Sequence, residues 1–277
     1  MLSRKGCAMD SEKLIERTAA AKREQLAGLP CWDANIWLGR PAFFPLAQEV
    51  PPQELGPLLA RYGCRGALVS HWDSVHLSAQ DGNQALLDSA AALPDNVYTI
   101  WTGLPTMPRE QSPLPGTGQP DLRLRGVRLF PQTHHFDLSP WVLAALCEWC
   151  GEHHLPLFLW HVEIRWSELQ ALAAAFPRMK VVIETQWQKI LYQVRNLFSL
   201  LKACPNVLVE SSNLVGQDQV SYLVRNFGSE RLLYGSFLPM NDPYAAIGLV
   251  LDADISVQER ENILGKNLER LIAEVRL

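Results

Sequence analysis

The sequence predicts a single (β/α)8 barrel preceded by an N-terminal helical extension. Three observations lead there: eight short apolar runs of strand type, helix-compatible segments with start signals between them, and a repeat interval of roughly 30 residues, the spacing of a strand–helix unit. The chain has 277 residues, 48% hydrophobic and 19% charged, enough to bury one large core. A closed parallel barrel uses about 250 residues, so the length suits one barrel better than two modules.

In chain order, residues 1–28 are polar and rich in Ala, Lys and Glu, with helical periodicity across 11–26. They form the N-terminal extension, and 29–277 form the barrel. Strand-like runs begin near Cys31, Arg65, Asn96, Arg123, Pro156, Met179, Asn206 and Arg231. Ser139-Pro140 and Asp242-Pro243 each supply an N-cap followed by proline at the first helical position. Ser167 with Gln170 and Ser256 with Glu259 read as capping boxes. A doubly wound open sheet is the alternative fold. It would carry a Gly-rich phosphate turn after the first strand, where this chain has Asn35-Ile36-Trp37-Leu38-Gly39-Arg40. Residues 103–121 hold Pro105, Pro108, Pro113, Pro115 and Pro120, which excludes a helix. On the strand-to-helix side, this loop overhangs the barrel mouth, either as a lid or as a passive insertion.

Composition narrows the partners. A net charge of -4 without a basic stripe argues against nucleic acid and anionic lipid. No apolar run approaches the ~18 residues of a membrane span. The six cysteines are scattered and follow no secretory leader, so reduced thiols in a cytoplasmic protein are expected. Cys147 and Cys150 fall in a helical run, 140–154, without a second such pair, and read as packing residues. A homodimer stays open, since many barrels pair through their helices.

The site of such a barrel lies at the C-terminal strand ends. The residues there are Asn35 and Trp37, His71, Trp101, Trp160 or His161 according to the fifth strand's register, Glu184 and Thr185, Glu210, Ser236 and Phe237. Asp33, His71, Trp101, His161, Glu184, Glu210 and Ser236 are expected to meet at that end. Nine tryptophans, several near strand ends, serve either packing or the stacking of flat ligands.

Five phrases in order carry a resemblance: Trp32-Asp33-Ala34-Asn35-Ile36-Trp37-Leu38-Gly39, Leu124-Arg125-Gly126-Val127-Arg128-Leu129, Phe176-Pro177-Arg178-Met179-Lys180-Val181-Val182-Ile183-Glu184-Thr185, Leu232-Leu233-Tyr234-Gly235-Ser236-Phe237-Leu238-Pro239 and Ile263-Leu264-Gly265-Lys266-Asn267. From about Cys31 to the C-terminus the chain resembles the amidohydrolase-related barrels, in the branch of lactone hydrolases and decarboxylases of carboxylated rings.

The resemblance implies His-x-His after the first strand, histidines after the fifth and sixth, and an aspartate after the eighth, together holding zinc or manganese. The matching positions here are Asn35 and Trp37, Trp160 or His161, Thr185, and Phe237, so at most one ligand survives. The leading expectation is therefore a degenerate centre with no metal cofactor, binding a small organic ligand, aromatic or carboxylated, with any chemistry metal-independent. In that reading Glu184, His161 and Glu210 are the catalytic candidates, and Asn35, Trp37, His71, Trp101, Trp160, Thr185 and Phe237 line the ligand. The alternative is an active hydrolase or decarboxylase holding zinc or manganese at a rebuilt site of His71, His161, Glu184 and Glu210. A third reading, an interaction protein using only the barrel exterior, predicts a filled mouth.

Overall fold

A computed structural model describes residues 17–277 except 18–19, 22–23, 43–47, 108, 111, 113, 115–122 and 189. Eight strands, β1 (Cys31–Leu38), β2 (Cys64–His71), β3 (Val97–Thr102), β4 (Leu124–Leu129), β5 (Leu157–Trp160), β6 (Val181–Glu184), β7 (Val207–Glu210) and β8 (Leu232–Leu233), lie in sequence order. Every neighbouring pair is parallel. Backbone bonds from Ala34 N to Tyr234 O (3.0 Å), Phe237 N to Asn35 O (2.9 Å) and Trp37 N to Leu238 O (2.8 Å) tie the end of the sheet back to β1. The strands are apolar almost throughout because both faces are covered, by the barrel interior and by the helical shell.

The shell comprises α1 (Leu55–Arg61), α2 (Ala79–Ser89), α3 (Pro140–Glu152), α4 (Trp166–Ala175), α5 (Val194–Ala203), α6 (Gln219–Phe227) and α7 (Pro243–Leu251), followed by α8 (Asn267–Glu274). Asp242 caps α7 through Tyr244 N, and Ser256 with Glu259 forms a complete capping box. Ser167 does not cap: α4 already begins at Trp166, and Arg165 pairs with Glu168 across its first turn at 3.0 Å. Ser139 precedes Pro140 at the start of α3 without a side-chain cap bond.

Of the N-terminal extension, residues 17, 20–21 and 24–26 are helical and Leu26 is buried beside Gly63; the other residues of the predicted helix lie outside the described residues. In the proline-rich loop, residues 103–107, 109–110, 112 and 114 form neither helix nor strand, and Leu114 joins the shell core. The rest of that loop, and with it any cover over the mouth, lies outside the described residues. Among the described residues no helix is long and apolar enough to cross a membrane.

Side chains alternate across a strand, so every second residue enters the barrel. A lower interior layer is Ala34, Leu68, Ile100, Phe158, Val182, Leu208 and Leu233, with Trp32 and Tyr98 and the α8 residues Leu268, Leu271 and Ile272 packed against it. From β4 this layer receives Gly126, where a Cβ would stand 2.6 Å from the Phe158 ring. The glycine is what gives that ring its room.

Candidate functional site

Two residues further along β4, β6 and β7, the same parity carries Arg128, Glu184 and Glu210 into the barrel, all fully buried. Arg128 Nε donates to Glu184 Oε2 at 3.0 Å, and Nη2 donates to Oε1. The guanidinium lies 4.5 Å from the Trp37 ring and 5.7 Å from the Phe158 ring. The cation therefore sits between the aromatic floor of the lower layer and the aromatic layer above. Its third nitrogen, Nη1, has no acceptor among the described residues.

Glu210 accepts from Ser212 N (2.6 Å), Ser212 Oγ (2.8 Å) and Thr185 N (3.3 Å). Burial raises the Glu184 carboxyl above its ordinary value, while Arg128 and the Gln186 amide pull it back. Glu210 is driven well above the carboxylate range, first by burial and then by the neighbouring Glu184, against the pull of its Ser212 and Thr185 donors. The layer thus holds a fixed cation, a paired carboxylate and a carboxyl group favoured in its protonated form.

The register of β1 shifts between Asp33 and Ile36, a bulge that re-aims the strand end. Trp37 Nε1 donates to Asn35 Oδ1 at 2.9 Å, and Asn35 Nδ2 donates to Gln186 Oε1 at 3.3 Å. Thr185 Oγ1 donates to Glu210 O at 3.1 Å and accepts from Asn213 N at 2.9 Å.

Above the charged layer, Trp37, Trp72, Phe130, Trp160 and Phe237 pack into one buried aromatic cluster, flanked by Trp187, Val75, Val162 and Met240. Trp37 lies 4.4 Å from Trp72 and 5.3 Å from Trp160, Phe130 lies 4.8 Å from Trp160, and Trp187 lies 5.3 Å from Phe237, between centroids. Most of these pairs are tilted or edge-on, the arrangement the ring quadrupole favours. Phe237 and Trp187 adopt φ values of 60° and 72°, left-handed backbone that costs a large residue of order 1–3 kcal/mol and clusters at functional sites. The Trp160 indole nitrogen is buried without an acceptor among the described residues.

The fifth-strand register is decided: Trp160 enters the barrel, and His161 sits beside it, buried, with Nδ1 3.3 Å from Glu184 O. Burial lowers the His161 pKa, keeping the ring neutral. Asn35, Trp37, Trp160, Thr185, Glu184, Glu210 and Phe237 therefore gather at one end of the barrel. The expected convergence fails for four residues, by side-chain parity. Trp101 points into the shell core and donates to Thr99 Oγ1 at 3.1 Å. His71 lies against Gly39, its Nδ1 3.4 Å from Asp73 Oδ2. Asp33 accepts from Asn35 N and Ser236 N, both at 2.9 Å, stitching β1 to the segment after β8. Ser236 Oγ accepts from Leu238 N at 3.0 Å.

Sequence reasoning missed Arg128 as a site residue. Its signal was present in the alternation of β4: Arg128 shares the inward parity of Gly126, unlike Arg125, and a guanidinium on a buried face must find a buried anion. Among the described residues, no group of three or more His, Cys, Asp or Glu side chains is gathered as a metal site requires.

Known proteins share this architecture. An amidohydrolase 2 from Bifidobacterium longum subsp. infantis superposes with a TM-score of 0.65 at 19% identity, over 90% of this chain and 100% of its own. A zinc-bound amidohydrolase from Burkholderia multivorans gives 0.66 at 18%, over 88% and 99%. The 5-carboxyvanillate decarboxylase of Novosphingobium aromaticivorans, complexed with manganese and 4-hydroxy-3-methoxy-5-nitrobenzoic acid, gives 0.64 at 13%, over 90% and 97%. At these identities the likeness is one of fold. No curated protein matches the chain. The sequence model of the family described as amidohydrolase matches residues 31–272, nearly the whole barrel, and the chain belongs to the amidohydrolase 2 family.

Proposed function

We propose that this barrel has given up the metal centre and binds a flat organic ligand, aromatic or carboxylated, at its aromatic mouth. The observation that carries the reading is Trp37. At the second position of the family's His-x-His pair it puts an indole where an ion and its water would stand, and its N–H occupies Asn35 Oδ1.

The residues at the matching positions do not fit zinc or manganese, which need lone-pair donors at about 2 Å and at least three protein ligands. Trp37 and Phe237 have no such donor, Asn35 and Thr185 offer neutral oxygens already engaged, and His161 is one imidazole. A rebuilt site is disfavoured because His71 lies away from the others and Glu184 is committed to Arg128. Protein purified without chelator is expected to hold far less than one transition-metal ion per chain by elemental analysis. The double change Asn35→His with Phe237→Asp is expected not to restore binding, since Trp37 and Thr185 remain. A stoichiometric ion at these positions would overturn the reading; one held by His161, Glu184 and Glu210 would promote the rebuilt hydrolase or decarboxylase.

Three features support a ligand of this class: the aromatic cluster, the fixed Arg128 cation beneath it, and the donors Arg128 Nη1 and Trp160 Nε1, which have no acceptor among the described residues. A bound acceptor, or ordered water in its absence, would satisfy both. In this reading Glu210 holds a proton and Glu184 a paired charge, the pieces of metal-independent acid–base chemistry, with His161 as a neutral neighbour. The test is tryptophan fluorescence during titration with substituted benzoates. Saturable quenching is expected, weakened roughly 2–10-fold in Trp160→Ala, since one aromatic contact is worth about 0.5–1.5 kcal/mol. A filled mouth is equally what an exterior-only interaction protein predicts, and the absence of any saturable response across the series would favour it.

A further inference from the structure

At the opposite end of the barrel, β1 and β2 each begin with a cysteine. Cys31 and Cys64 are partners in the parallel ladder, and the register slips immediately after them, so that Trp32 faces Gly66. The slip brings the two sulfurs to 3.2 Å, in direct contact. Both thiols are buried, Cys31 fully and Cys64 with 8% exposure. Gly63 and Arg65, on either side of Cys64, line an open groove with residues 26–29 and Tyr244, so a small reagent can approach within one residue of the pair. The Cys31 contact and then burial raise the Cys64 thiol, which keeps the resting pair protonated and slow to react.

We propose that Cys31 and Cys64 form an oxidisable dithiol that closes to an intramolecular disulfide when the protein meets a hydroperoxide. One thiol loses its proton, and the thiolate attacks a peroxide oxygen. The O–O bond breaks, leaving a sulfenic acid and releasing water or the corresponding alcohol. The second thiol attacks the sulfenic sulfur, the S–S bond forms, and the hydroxyl leaves with the second proton as water. Two electrons and two protons pass from the dithiol to the peroxide, and a dithiol reductant reverses the change. The pair is 33 residues apart in sequence, so the bridge also restricts the unfolded chain.

The experiment treats the folded, reduced protein with hydrogen peroxide, alkylates the remaining thiols and maps tryptic peptides without reduction. The expected product links residues 24–61, which contain Cys31 because trypsin does not cleave between Arg40 and Pro41, to residues 62–65, which contain Cys64. Its intact mass is lower by two hydrogens, and dithiothreitol abolishes it. The oxidised protein should melt roughly 5–10 °C higher. Recovery of both cysteines fully alkylated after peroxide and unfolding would overturn the proposal, as would a loss of two hydrogens within the single peptide 129–165, which holds Cys147 and Cys150, in place of this link. The wild-type map decides alone; in Cys31→Ser the linked peptide should vanish while circular dichroism stays that of the parent.

Discussion

Replacing Arg128 by methionine is expected to cost about 3–5 kcal/mol of folding stability, the usual penalty for removing one partner of a buried ion pair. The side chain is fully buried, bonds Glu184 through two nitrogens and packs against Trp37 and Phe158. Methionine keeps the bulk but leaves the Glu184 carboxylate in a dry barrel beside Glu210. Two companion measurements separate charge from packing. The deficit should shrink as pH falls and Glu184 takes up a proton. Adding Glu184→Leu should recover most of the loss, because apolar replacement of an entire buried pair is often neutral. Urea denaturation gives all three values; a single variant within about 1 kcal/mol of the parent would show that the pair is not what holds this layer together.

Glu210→Gln is expected to change the pH dependence of stability rather than its value at one pH. The Glu210 pKa is raised in the fold, so the folded state binds the proton more tightly than the unfolded chain. The stability this contributes is complete below the unfolded value of about 4.3 and is lost as pH rises toward the folded value, at about 1.4 kcal/mol per pH unit. Glutamine keeps one acceptor oxygen for Ser212 N, can donate its amide N–H to Ser212 Oγ, and cannot ionise, so the variant escapes the loss. Its stability relative to the parent should therefore rise as pH increases above the unfolded value and level off once pH passes the folded one. Glu184 contributes with the same sign, reduced by Arg128, and is common to both proteins. Parallel stability curves for parent and variant would mean that Glu210 is already ionised in the fold.

The fold was legible because a parallel barrel writes itself into the sequence twice. Strands buried on both faces read as apolar runs, and each return helix needs a start signal, such as Asp242 before Pro243 or Ser256 with Glu259. The site was legible in part. Trp37, Thr185 and Phe237 stand out because they fall at the positions where the resemblance implies ligands, and Glu184 and Glu210 because they end strands. Trp101 and His71 passed the same sequence test, yet they point away from the mouth. Arg128 escaped the test because the fourth apolar run reads on to Phe130, two residues further, yet it supplies the cation of the interior.

The sequence by itself determined the number, order and direction of the strands, and the family. These depend on residue type and local pattern. The tertiary structure alone decided which strand-end residues face one another: Trp160 in place of His161, the bulge at Asn35, the Arg128–Glu184–Glu210 layer, and the contact of Cys31 with Cys64. The reason is that a strand turns each successive side chain to the opposite face. A one-residue slip inverts that choice, and the register is fixed by hydrogen bonds to neighbouring strands.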